Sequence, residues 1–301
     1  MKTQNRVNKY PVLTVAMMNT LFMELLNRKQ QIANFVGVNL VKVEPSRQAQ
    51  LLQALAMCLH ADPLLEKCES AIAYLEAPAA DETPVNSEPV AESKEAAEDK
   101  EAPDELAEAI GTIFSGLAGL TVNLVEGVCE ALAEEFGVSI EAVPPFLVQT
   151  NSYMLGFIGK MFDSAEAQLE EGAITNLVSI PEMSSRLEAA VAAYEDLHSR
   201  LAEVELSEVS VEQQVRFLFV TALVQLGASL LSQASPAAEY LCQEDDKVTV
   251  DASISRAIVR QYGVKEAAVA PFLHGVNSLI LPWIEELVQE ASAVCETTDS
   301  Q

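Results

Sequence analysis

Three histidines stand at His60, His198 and His274, and five cysteines at Cys58, Cys68, Cys129, Cys242 and Cys295. These are the side chains that hold metals or move protons near neutral pH, and both chemistries need several of them to converge. No two histidines stand at a ligand spacing and no C-x-x-C pair occurs. His60, in "CLHADP", reads as the end of a helix, where an imidazolium complements the dipole. His198 lies among Glu195, Asp196 and Arg200 and reads as part of a solvated face, whereas His274 sits in an apolar stretch. The odd cysteine count and the apolar surroundings are the usage of reduced, buried thiols in a cytoplasmic protein. Gly111, Gly116 and Gly119 in "IGTIFSGLAGL" are not followed by the Lys-Ser/Thr that a phosphate loop requires, and close helix packing accounts for them. The expectation is a protein that is not an enzyme and carries neither cofactor nor metal.

One polar motif does recur. Asn151–Ser152 and Asn277–Ser278 each follow a proline by six and seven residues, inside long uncharged stretches at 142–159 and 267–284. An asparagine is a poor helix-interior residue and a costly core residue unless its amide is bonded. Two uses present themselves. Each asparagine satisfies a backbone group near its helix start, or the two meet across an internal two-fold axis and fix the register of facing helices. In a side-by-side array the same positions, Asn151, Ser152, His274, Asn277 and Ser278, would line a groove for a partner.

These pairs belong to a longer phrase. "FGVSIEAVPPFLVQTNS" at 136–152 and "YGVKEAAVAPFLHGVNS" at 262–278 are identical at nine of seventeen positions, and both carry G-V-x4-V-x-P. "VGVNLVKVEP" repeats that pattern more faintly, with Gly37 and Pro45 in the places of Gly137 and Pro145 or Gly263 and Pro271. The physical reading is a helix–corner–helix joint. Glycine closes a helix in the left-handed conformation, the next valine folds back on its last turn, and proline opens the following helix in its first turn, where a missing N–H costs nothing. Ser139 is placed to cap the extra turn between; Lys265 is not.

The elements that carry the joint are helices. In "SSRLEAAVAAYEDLHSRLAEV" Leu187, Val191, Tyr194, Leu197, His198 and Leu201 recur at three- and four-residue steps. Ser210 and Gln213 form a capping box before an apolar run, and Asp251 precedes a helix that stops at Gly263. "DKVTVDA" has the alternation of a short strand but no second strand to pair with. The fold class expected is all-α, a helical repeat or bundle with an internally duplicated module.

Charge divides the chain. Residues 1–76 hold eight Lys/Arg and six Asp/Glu, whereas the whole chain holds 18 against 45, a formal charge of −27. Residues 77–103 combine four prolines and eight acids with no Leu, Ile or aromatic residue, the composition of a self-repelling flexible linker. The organisation expected is therefore a small helical unit at 1–76, a linker at 77–103, and a duplicated acidic domain at 104–301 with copies about 104–205 and 206–301. So acidic a chain argues against nucleic acid as a partner, since phosphate contacts need clustered Lys and Arg. It favours basic or amphipathic protein segments. Four long uncharged stretches, 109–125, 142–159, 217–238 and 267–284, read as core helices of a bundle, with conditional membrane insertion as the alternative. The functional expectation is a cytoplasmic adaptor, scaffold or chaperone-like protein that binds other proteins in grooves between repeated helix pairs.

Overall fold

The computed structural model describes residues 11–76, 133–170, 177–202, 204, 206, 209–241 and 252–298. The linker at 77–103, the uncharged stretch at 109–125 with its glycines, the "DKVTV" run and the Asp251 cap lie outside them. Among the described residues every regular element is helical and no strand occurs. The fold is all-α.

Seven long elements succeed one another: α1 (Val15–Asn39), α2 (Pro45–Glu76), α3 (Val143–Leu169), α4 (Ile180–Ala202), α5 (Val211–Leu241), α6 (Ala252–Tyr262) and α7 (Val269–Thr298). Their starts follow local chemistry. Thr14 caps α1 by accepting the Met17 N–H at 3.3 Å. Ahead of α5, Gln213 Oε1 accepts the Ser210 N–H at 3.0 Å, and Ser210 Oγ accepts the Gln213 N–H at 3.3 Å. That reciprocal capping box satisfies two donors a bare helix end would leave open.

Both strong joints form as their sequences require. Gly137 and Gly263 have φ of 63° and 66°, and each is followed by a buried valine, Val138 or Val264. A single 3₁₀ turn follows, at Ile140–Ala142 and at Glu266–Ala268, and α3 and α7 begin directly after it. Ser139 Oγ accepts the Glu141 N–H at 3.3 Å, while Lys265 makes no side-chain cap. The faint third phrase is not a joint of this kind. Gly37 lies inside α1, its φ is not positive, and Val38 after it is 64% exposed. The chain turns only at residues 40–44, before Pro45 opens α2. The resemblance there was in letters, since a helical glycine needs no left-handed conformation.

Packing redraws the expected organisation. α1 and α2 share one continuous hydrophobic core with α3, α4, α5, α6 and α7, running from Met18 through Leu51, Phe157 and Phe219 to Ile284. Residues 15–76 are thus part of a common core, and not a unit with a core of its own. Two sets of helices pack in a like manner instead: α1 and α2 against α3, and α4 and α5 against α7. Within each, a helical hairpin lies against the long helix that follows a glycine joint. Residue 205, the expected boundary between copies, falls between α4 and α5.

Several polar contacts recur at corresponding places in the two sets. Leu13, just before α1, donates its N–H to Ser152 Oγ at 2.9 Å, and Val178, just before α4, donates to Ser278 Oγ at 3.2 Å. Ser152 and Ser278 in turn donate to the carbonyls of Val148 and His274. Gln214 of α5 accepts the Ser139 N–H at 2.8 Å, and Gln48 of α2 accepts the Lys265 N–H at 2.9 Å. The hairpin of each half therefore secures the joint of the other. Both glutamines are buried, so each supplies a partner to a corner amide that would otherwise lose water for nothing.

Candidate functional site

The asparagines singled out from sequence act within their own halves. Asn277 Nδ2 donates to the Ala234 carbonyl of α5 at 3.0 Å. Asn151 Nδ2 faces the Cys68 carbonyl of α2 and the Met18 sulfur, each at 3.5 Å. Each amide thus ties the long helix to its hairpin through a carbonyl of another helix, which is neither of the two uses foreseen, and the asparagines do not meet. Helices α3 and α7 do touch, but one to three turns further on. The ring of Phe157 packs edge-to-face on Trp283 at 5.9 Å, and Lys160 Nζ pairs with Glu286 Oε1 at 2.7 Å. Phe157 matches Trp283 and Lys160 matches Glu286 when the two phrases are extended in register. Residues that touch their own counterparts mark where the halves meet face to face.

His274 is also taken up by the scaffold: its Nε2 lies 2.7 Å from the Val178 carbonyl, whose N–H is held by Ser278. It lines a shallow hollow with Ser255, Glu266 and Pro271. His198 is exposed, as its neighbours imply. His60 is not at a helix end. It lies in the middle of α2 and is 3% exposed, and burial pushes its imidazole down to about 4. The sequence cue failed because "ADP" suggests a stop, yet Pro63 is accommodated and the helix continues to Glu76. Burial also pushes the Cys58 thiol up to about 12 and raises that of Cys68, so both are inert thiols. Among the described residues no group of His, Cys, Asp and Glu converges as a metal site.

An apolar concavity lies between α2, α3 and α5, with Phe136 in its wall. Its volume is about 130 Å³. Leu64, Ala71, Phe146, Leu147, Met154 and Leu218 make most of its wall, and Lys67, Thr150, Asn151, Thr221 and Gln225 bring the polar groups. Of the residues proposed from sequence only Asn151 reaches it; Ser152, Asn277 and Ser278 do not. Helical spacing explains the gathering. Leu64, Lys67, Cys68 and Ala71 fall on one face of α2, and Phe146, Leu147, Thr150, Asn151 and Met154 on one face of α3. The cleft carries little charge: Lys67 is the charged residue on its wall, and burial lowers its amine to about 8.

Comparison with protein-family models, with curated proteins and with solved structures finds no match to this chain.

Proposed function

We propose that this chain is a duplicated helical module serving as a binding protein, with the cleft between α2, α3 and α5 receiving an apolar anchor from a partner polypeptide. The observation that carries the reading is the cleft itself: an apolar hollow with a few polar groups, built on three helices that are rigidly cross-tied. Interface energy concentrates where one or two side chains fill such a pocket. The acidic exterior suits a partner whose anchor is flanked by basic residues, because complementary charge raises the rate of encounter. The role is non-enzymatic and cytoplasmic, that of an adaptor, scaffold or chaperone-like protein.

A photo-crosslinking residue at position 146, on the cleft wall, tests this in the native host. The expected result is one identified protein joined at that position, lost when Ala222→Leu fills the cleft. An adduct that survives filling would place the partner elsewhere and end this reading.

A second reading rests on a different observation. Val211–Ser235 and Glu266–Cys295 are each long and apolar enough to cross a membrane, although 56% and 61% of their windows are buried within the protein. Core helices of a bundle meet the same description. Under the membrane-active alternative the protein would float with anionic vesicles at neutral or acid pH; remaining in the soluble fraction under both conditions removes it.

A further inference from the structure

The two sets of helices allow each wall position of the cleft to be compared with its counterpart. Thr150 stands where the second half has Val276, and Lys67 where it has Gln233. Thr221 and Gln225 of α5 stand where α2 presents Leu55 and Leu59. Three apolar positions have thus become polar and one amide has become a cation, all around one hollow.

Thr150 differs from most hydroxyls of the helices in a second way, which it shares with Ser229. The hydroxyls of Thr20, Ser70, Ser152, Ser199, Thr221 and Ser278 each donate to the carbonyl one turn back, the usual arrangement inside helices. The Thr150 hydroxyl does not; its oxygen is buried and has no hydrogen-bond partner. A buried hydroxyl left in that condition costs free energy that a ligand oxygen would recover. Lys67 adds a cation on the same wall. The volume of about 130 Å³ is close to that of apolar cavities that hold a single benzene ring. The hollow therefore has room for one side chain.

We propose that the cleft takes the C-terminal residue of a partner polypeptide, its ring- or leucine-sized side chain among Leu64, Phe146 and Met154 and its α-carboxylate against Thr150 Oγ1 and Lys67 Nζ. This rests on the protein-binding reading above and adds to it the chemistry of the anchor. A chain end supplies both parts at once, an apolar group and an anion one carbon away, whereas an internal segment supplies no charge there. A carboxylate beside Lys67 also offsets the desolvation that lowers its amine. Charge-assisted bonds from an ammonium and a hydroxyl are the strong kind, and the low polarity of the wall strengthens them further.

The test uses the full chain with methyl-labelled methionine, observing Met154 while titrating N-acetyl-phenylalanine and, separately, its amide. The expected result is a Met154 shift with the acid binding about fivefold more tightly than the amide, the margin of a partly buried ion pair. Lys67→Gln, which installs the second-half residue, should abolish that preference without weakening the amide, and Thr150→Val should weaken the acid about threefold. Unchanged helical dichroism shows that either variant is folded, and the acid–amide comparison on the unaltered protein needs neither variant. Equal affinity for acid and amide overturns the C-terminal proposal and leaves an apolar anchor site in place. Failure of both probes to move Met154 in the millimolar range overturns the cleft as a binding site altogether.

Discussion

Helices α1, α2 and α3 and helices α4, α5 and α7 repeat several polar contacts and fill the space between them differently. Both halves hold the residue before the first helix on a serine, both tie the long helix to its hairpin through an asparagine, and both lend a glutamine to the other's joint. The hairpins, by contrast, are closed by unlike chemistry. In the second half the Tyr194 ring lies over Gly227, where any Cβ would collide with it, and its hydroxyl donates to the Ile284 carbonyl at 3.4 Å. In the first half Lys29 stands at the place of Tyr194 and pairs with Asp62, one residue beyond Ala61, which stands at the place of Gly227. The first long helix is further pinned by Arg28, which reaches Asp163 at 2.7 Å and Glu166 at 2.8 Å while stacking over Phe162. Directional bonds in a buried setting admit few replacements, so they are where the halves agree. Apolar filling admits many shapes of equal volume, so it is where they diverge. Divergence around the first-half cleft goes beyond filling, since it replaces apolar groups with polar ones.

The largest effect should come from the face-to-face contact. Phe157→Ala, at a fully buried position, should destabilise by about 3–5 kcal/mol in denaturant unfolding. Trp283→Ala should cost a similar amount, and the double variant should lose about 0.5–1.5 kcal/mol less than the sum of the single effects. Simple additivity would mean the rings do not touch and would separate the halves.

Next in size is the histidine that one half has and the other lacks. His60 corresponds to Leu226. Its folded pKa, near 4, lies below the unfolded value of about 6.5, so on acidification the unfolded chain takes up this proton first. Stability from this group is present in full above pH 6.5 or so, and about 3 kcal/mol is lost as pH falls towards 4. His60→Leu should flatten that slope in unfolding curves collected across this window. A slope unchanged by the substitution would show that His60 is not buried neutral.

The joints give a smaller and more pointed contrast. Gly137→Val and Gly263→Val should each destabilise by more than about 1 kcal/mol, because a β-branched residue resists the left-handed region. Gly37→Ala, in a helix with no atom near the added Cβ, should stabilise by up to about 1 kcal/mol. If all three responded alike, the distinction drawn between the true joints and the faint phrase would collapse.

The smallest effect concerns the ion pair between counterparts. Lys160→Glu should lower stability by about 0.5–1 kcal/mol, and adding Glu286→Lys should restore most of it, since the exchange only reverses the pair. Both measurements should weaken in high salt. No rescue by the double variant would place the two side chains apart.

Much of this architecture was determined by the sequence alone. Helix period, the capping box at Ser210, and the glycine–valine–proline order are local, and local chemistry suffices to specify a helix, its start and a left-handed stop. The repeated phrase likewise announced two equivalent long helices, α3 and α7. What tertiary structure decided is which surfaces those helices share. Asn151 and Asn277 were legible as constrained polar residues, but their partners are backbone carbonyls of α2 and α5, and a carbonyl leaves no mark on the sequence. Gln48 and Gln214 carried no local signal at all, being ordinary glutamines until each meets the other half's corner. The cleft was invisible for the same reason: Lys67, Thr150 and Thr221 are remote in sequence and ordinary in type. Comparing Thr150 with Val276 inside the repeated phrase was the one available cue. Even the place of α1 and α2 could not be read from composition. Their basic character set them apart in charge, while their apolar faces, which decide packing, fit the common core through burial that depends on shape and not on sign.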